Sequence, residues 1–255
     1  MIDLVERALV EGADRGGAGA LEEGDGWARL TTAAASSEFR NAVLRSRLEP
    51  EEADARIEET IAHFDALGTP FRWFVTPSTR PRDMGERLLR RGFRLAPVIA
   101  AMTARPGDFP RPDAPDMDVV DVGPAEADAW VDTLRRGWDM PPPAVARFRA
   151  EIEGGLAARP RRSFYFLARW RGEPAAEGSL TLFDGYAHFD GSTTVPAYRR
   201  RGLYRALILA RMAFLRTRGV GLVTNHCRAD TSAPICARLG FEKACEFRAY
   251  RFPGG

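Results

Sequence analysis

Pro196-Ala197-Tyr198-Arg199-Arg200-Arg201-Gly202-Leu203-Tyr204-Arg205-Ala206-Leu207 is the stretch that decides how this chain is read. It follows the strand-like segment Tyr186 to Val195 and opens a helix expected from Leu203 to about Thr217. It therefore reads as a strand turning through a basic, glycine-bearing loop into a helix. The first N–H groups of such a helix have no intrahelical partners, and together with the macrodipole they favour a phosphate or pyrophosphate at that end. Gly202 admits a ligand close to the backbone, and Arg199, Arg200, Arg201 and Arg205 concentrate positive charge there. An arginine-rich helix start on a solvated surface is the competing reading of these residues alone.

Downstream lie an apolar run, Val220 to Thr224, a polar turn, a short helical segment from Ser232 to Leu239, and Gly240-Phe241 leading into a strand at Phe247 to Phe252. The order strand, basic loop, helix, strand, short helix, Gly-Phe, strand resembles the Gcn5-related N-acetyltransferase (GNAT) superfamily. The superfamily's Arg/Gln-x-x-Gly-x-Gly/Ala signature is matched by Arg199 and Gly202, with Tyr204 standing where a small residue is usual. Its short helix ending in Leu-Gly-Phe is matched by Ala237-Arg238-Leu239-Gly240-Phe241. The resemblance implies acetyl-coenzyme A as cosubstrate, bound at Arg199, Arg200, Arg201, Gly202, Leu203 and Tyr204. The backbone at Thr193, Thr194 and Val195 would pair with the pantetheine arm.

Composition sets consistent limits. The 255 residues suffice for one large domain or two of ordinary size, and 37 Lys+Arg nearly cancel 35 Asp+Glu. All but one of the cations are arginine, Lys243 being the exception, and no basic patch is interleaved with aromatics, so nucleic acid is not an expected partner. The N-terminus carries acids where a signal peptide carries positive charge, and no apolar run approaches the roughly 20 residues of a membrane span. A soluble, cytoplasmic protein, monomer or homodimer, is expected. Cys227, Cys236 and Cys245, with His226 close by, fit no metal-ligand spacing and are odd in number, so they read as ordinary reduced cysteines with no metal.

Leu89-Arg90-Arg91-Gly92-Phe93 and its following residues match Arg238-Leu239-Gly240-Phe241 and its strand with the Gly-Phe pairs in register, which reads as an ancient duplication. Upstream of the first match are a strand around Phe39 to Leu48, a helix from about Glu51 to Leu67, a strand at Phe71 to Val75, and a turn before a helix ending near Arg91. The loop entering the earlier helix, Leu48-Glu49-Pro50-Glu51-Glu52-Ala53-Asp54, is acidic and lacks glycine, so it repels a pyrophosphate. The expected organisation is a degenerate GNAT-like unit at 1–105, a proline-rich linker at 106–115, and a complete GNAT unit at 116–255. Each is a mixed α+β unit with a central, mostly antiparallel sheet flanked by helices.

In the second unit, strands are expected at Met117 to Val122, Ser163 to Arg169, Ala175 to Phe183 and Tyr186 to Val195, with helices near Ala125 to Arg136 and Pro143 to Ala157. The resemblance makes the loop between those helices the acceptor pocket: Trp138 and Met140 as apolar lining, Asp139 as the attraction for an amine, with Trp138 packed under the helices as the alternative. Family members protonate the departing thiolate with a tyrosine at the position of Cys236, which leaves that thiol as proton donor or as mere channel lining. His188 and Asp190 alternate along one strand, so with Ser192 they are expected on one face as the means of taking a proton from the amine. Glu177, Asn225 and His226 are weaker candidates. The resulting expectation is transfer of an acyl group, most simply acetyl, to a primary amine of a small molecule or peptide. A silent acyl-CoA sensor and a decarboxylase or lyase on the same fold are the alternatives.

Overall fold

The computed structural model describes residues 1–13, 19–32, 41–110, 117–140 and 142–253. Linker residues 111–115, the first residues of the strand expected from Phe39, and Pro141 of the acceptor loop lie outside that set. In chain order the elements begin with α1 (Ile2–Glu11), β1 (Ala20–Gly24), β2 (Trp27–Thr31), β3 (Ala42–Ser46), α2 (Pro50–Ala66), β4 (Phe71–Val75), α3 (Met84–Arg90), β5 (Arg94–Leu95) and β6 (Ile99–Ala104). They continue with β7 (Met117–Asp121), α4 (Ala127–Trp138), α5 (Pro142–Ala157), β8 (Ser163–Trp170), β9 (Glu173–Phe183) and β10 (Tyr186–Thr194). The last are α6 (Leu203–Thr217), β11 (Val223–Arg228), α7 (Ser232–Leu239) and β12 (Glu242–Phe252).

Two compact units result. One comprises Met1–Met102, Cys227–Pro234 and Lys243–Gly255, the other Thr103–His226 and Ile235–Glu242. This division in space differs from the linear one expected at 105 and 116, because most of β12 belongs to the first unit.

In the first unit the strand order is β1-β2-β3-β4-β12-β6, with β5 also on β12. α2 buries Ala53, Ile57, Thr60 and Phe64, a three-to-four spacing that presents one stripe to the sheet. Phe64 stacks on Phe71 at 4.4 Å between centroids, Phe71 meets Phe93 edge-on at 5.4 Å, and Trp73, Met84, Leu88 and Tyr250 complete the core. β3 and β4 are parallel, pairing Ala42 with Arg72 and Val43 with Trp73, and α2 is the crossover between them. Where they would diverge, the chain closes the gap itself: Arg80 N–H donates to Ser46 O (3.0 Å) and Leu48 N–H to Arg80 O (3.2 Å). The Glu6 carboxylate accepts from Ser78 N–H at 2.9 Å and fixes the closing segment. The gap at the end of this parallel pair is thus filled by the chain itself.

The matched Gly-Phe pairs have the same backbone geometry. Gly92 and Gly240 take φ of 86° and 109° after α3 and α7, which is why glycine stands there. Phe93 N–H then returns to Leu88 O (3.2 Å) and Phe241 N–H to Cys236 O (3.1 Å). Both phenylalanines are buried.

In the second unit the order is β11-β10-β9-β8-β7. Alternation along β8 sets its two faces. Tyr165 and Leu167 pack with Trp130, Val131, Leu134, Ile152 and Leu156 of α4 and α5. Phe164 and Phe166 meet Phe214 of α6, at 4.6 and 5.3 Å. α6 and α7 span the expected residues. β11 starts three residues later than expected, because Gly219 (φ 68°) and the Val220 N–H to Leu215 O bond (3.1 Å) still cap α6. β12 starts directly after Phe241 and not at Phe247.

The placement of β12 generates a prediction. Its Tyr250 is part of the first core, and its pairing with β4 runs from Arg248↔Val75 to Phe252↔Phe71. Residues 1–105 alone should show no cooperative thermal transition by circular dichroism. The same residues joined through a flexible linker to residues 243–255 should show one.

Candidate active site

The basic loop has the expected conformation. After a 3₁₀ turn at Pro196–Tyr198, Arg200 and Gly202 both take left-handed backbone, with φ of 64° and 84°, and α6 begins at Leu203. At Gly202 the demand is conformational, since an added Cβ would meet only Met117 Cε at 3.5 Å. The arginine at 200 bears a cost of order 1 kcal/mol in that region. Arg199 Nε donates to Thr194 O at 3.3 Å, and the Arg201 guanidinium lies 5.1 Å from the Trp170 ring centroid. Among the described residues, none of Arg199, Arg200, Arg201 and Arg205 has a carboxylate partner, so the charge at the head of α6 is not neutralised locally.

Next to this loop the sheet opens. β10 and β11 pair in parallel only from Ala187↔Val223 to Phe189↔Asn225. On its other edge β10 stays on β9 through Ser192↔Gly178, Thr193↔Glu177 and Thr194↔Ala176, and Val195 N–H reaches Ala175 O at 2.9 Å. From Asp190 onward, therefore, the edge of β10 that faced β11 has backbone outside any ladder. A one-residue bulge lies between Phe189 and Ser192. It overturns the expectation that Ser192 shares a face with His188 and Asp190: Ser192 now pairs with Gly178, whose absent side chain would meet Ser192 Oγ at 2.6 Å, on the face of Phe189.

The opening has chemically different sides. On the α4 side, His188 Nδ1 and Thr224 Oγ1 are 2.8 Å apart, the His188 and His226 rings 4.6 Å, and His188 Nε2 is 4.0 Å from Asp190 Oδ1. Asp190 Oδ2 accepts from Thr181 Oγ1 at 2.8 Å. His188, Asp190 and Asn225 are all buried. On the α6 side, Asn225 Nδ2 donates to Cys236 Sγ at 3.6 Å, and the Tyr204 hydroxyl lies 3.4 Å from the same sulfur. Cys236 is 0 % exposed. Thr181, Thr224 and the meeting of Tyr204 with Cys236 have no local signature in the sequence; they follow from strand register and from the packing of α6 beside α7.

The expected acceptor residues separate. α4 ends at Trp138, which is 45 % exposed and so does not pack under the helices; Asp139 caps the helix in left-handed conformation (φ 52°), also exposed. Met140 turns inward against the α4–α5 core. Gly137 brings this end of α4 onto Thr193, whose side chain fills the space of a Cβ at 137. Beneath lies Glu177, with no exposed surface and no well-formed hydrogen bond at either carboxyl oxygen. Burial pushes its carboxyl up to about 8, although the Arg211 guanidinium and the Thr193 amide act in the opposite sense. Arg211 is itself buried, donates to Ser179 O at 2.9 Å and lies over the Phe189 ring at 4.1 Å.

The three cysteines are unbridged, and burial, with Glu6 and Glu246 nearby, pushes Cys245 up to about 11. Among the described residues no group of three or more His, Cys, Asp or Glu is placed to hold a metal ion, and no helix is long and apolar enough to cross a membrane.

Residues 127–241 match the model of the acetyltransferase (GNAT) family. The chain is similar along its full length to a GCN5-related N-acetyltransferase from Kribbella flavida, at 19% identity and a TM-score of 0.73, covering 96% of that chain. It is similar to a conserved protein of unknown function from Staphylococcus epidermidis, with 11% identity, a TM-score of 0.71, and 93% and 95% of the two chains covered. It is also similar to a tandem GNAT protein from the clavulanic acid biosynthesis pathway, with 15% identity, a TM-score of 0.59, and 98% and 88% covered. No curated protein matches.

Glu177 generates a prediction. A carboxyl whose pKa is higher folded than unfolded stabilises the fold fully below the unfolded value of about 4.5, and the contribution is lost as pH rises toward 8. Melting temperature should therefore fall from pH 5 to pH 8, with a slope of up to about 1.4 kcal/mol per pH unit from this group. In Glu177→Gln that decline should largely vanish in thermal melts across the same range.

Proposed function

Because residues 127–241 match the model of the acetyltransferase (GNAT) family, we propose that the protein is an acyl-CoA-dependent N-acyltransferase, moving most simply an acetyl group to a primary amine of a small molecule or peptide. One observation carries the reading: the β10–β11 opening and the basic glycine-bearing head of α6 lie at the same end of the same strand. The residues fit the cosubstrate. The arginines without carboxylate partners and the positive end of the α6 dipole suit a diphosphate. The unladdered edge at Thr193 to Val195 suits an extended arm with amide groups. The closed gap in the first unit, bridged by Arg80, supports a stoichiometry of one per chain.

The amine must lose a proton, and His188 with Asp190 supplies the means. Thr224 Oγ1 also donates to Ala187 O at 3.4 Å, so its oxygen is left to accept from His188 Nδ1–H. Nε2 is then the nitrogen that takes a proton, and the Asp190 carboxylate beside it compensates the charge. Trp138 and Asp139 would meet the acceptor as it approaches from the end of α4, with Met140 holding the loop from below.

Calorimetry with acetyl-CoA should give one site per chain. Gly202→Asp, which puts a carboxylate in the anion cradle and strains the backbone, should weaken binding at least tenfold. Release of free coenzyme A thiol with a panel of amines should accompany binding; binding without thiol release would point to the sensor alternative, and release of carbon dioxide to the decarboxylase or lyase. Asp190→Asn should lower the turnover of the amine that responds best by about tenfold or more, leaving acyl-CoA affinity unchanged.

A further inference from the structure

The two places where this chain departs from the family signature, Tyr204 and Cys236, are in contact. Tyr204 is the second residue of α6 and Cys236 the fifth of α7, and the phenol oxygen lies 3.4 Å from the thiol sulfur. The sulfur is also held by Asn225, the last residue of β11 that pairs with β10. The pair therefore lies on the α6 side of the point where the two strands part.

Burial separates the roles of the two side chains. Cys236 has no exposed surface, so its thiol cannot reach a bound substrate without the site unpacking. Tyr204 is only half-buried and emerges from the first turn of α6, two residues beyond Gly202. Bulk at position 204 is accommodated because position 236 carries a short side chain. A phenol is a stronger acid than water, so its O–H can donate where a thiolate is forming.

We infer that Tyr204 is the catalytic proton donor to the departing coenzyme A sulfur, and that Cys236 is the space and the hydrogen-bonding partner that orient it. The inference rests on the acyltransferase reading above. As the amine nitrogen forms its bond to the thioester carbonyl carbon, the carbon–sulfur bond breaks and its electron pair goes to sulfur. Tyr204 O–H supplies the proton that makes the free thiol. The nitrogen sheds one proton on the opposite side of the sheet, and solvent returns one to the phenolate, so no oxidant or further reactant is consumed.

Two substitutions test this in the full chain with acetyl-CoA and the responsive amine. Tyr204→Phe keeps the ring and removes only the hydroxyl: turnover should fall about a hundredfold, the usual scale for a lost general acid, while the acetyl-CoA dissociation constant stays within threefold of the parent. Cys236→Ala, which keeps the phenol and removes the partner that orients it, should lower turnover by about fivefold, well short of the Tyr204→Phe loss. Turnover of Tyr204→Phe within threefold of the parent would overturn the assignment. So would a loss confined to acetyl-CoA affinity, which would make the hydroxyl a binding group, or a hundredfold loss in Cys236→Ala with Tyr204→Phe active. If the parent itself neither binds acetyl-CoA nor releases its thiol, the acyltransferase reading fails and this assignment with it.

Discussion

Backbone polar groups must be paired with something, and the two parallel strand pairs of this protein resolve that demand in opposite ways. A parallel pair needs a crossover helix, and the hand of the crossover places the head of that helix beside the end of the first strand. Where the two strands diverge, both edges lose their ladder just at the head of the helix. In the first unit the chain's own segment around Arg80 is laid into the gap, bonded to Ser46 and Leu48 and steadied by Glu6. In the second unit β10 and β11 part after Phe189 and Asn225, and the edge is left for something else. The bulge, the left-handed arginine and the glycine all cluster at this point because the backbone there is not governed by a ladder.

The sheet also separates two chemically different sets of side chains. His188 and Asp190 are held by threonines on the α4 side, and Asn225 and Tyr204 contact the Cys236 sulfur on the α6 side. Strand alternation accomplishes the sorting: His188 and Thr224 point one way, Phe189 and Asn225 the other. Arg211 and Glu177 add a buried cation and a mostly protonated acid at neutral pH, within the layers packed on β9.

Features encoded by short-range rules were legible in the sequence. Gly202, Gly240 and Gly92 mark turns that only positive φ permits, and the apolar spacing of α2 and α6 delimits those helices to within a residue or two. The two Gly-Phe pairs signalled the repeat, and their matching cap bonds agree with it. Features that depend on register or on distant partners were not legible. Nothing local to Asp190-Gly191 announces the bulge that moves Ser192 to the other face. Glu177 was a weaker candidate for the proton-accepting role, and nothing local announces that α4, laid over it through Gly137, buries it completely. The closing role of Arg80 depends on strands more than thirty residues upstream in the chain, whereas the hairpin of β1 and β2 carries a local turn signal in Asp25-Gly26, with Gly26 at φ 73°.

The position of β12 has a consequence for the chain as it is made. Ribosomes release the first hundred residues well before Phe252, an interval on the order of ten seconds at ordinary rates of synthesis. Through that interval β4 has β3 on one side and nothing on the other, and the Phe71–Phe93 cluster lacks Tyr250 and Phe252 above it. An open strand edge with aromatic side chains behind it is a template for pairing with the wrong chain. The unit synthesised first is therefore the one that waits longest for its last strand.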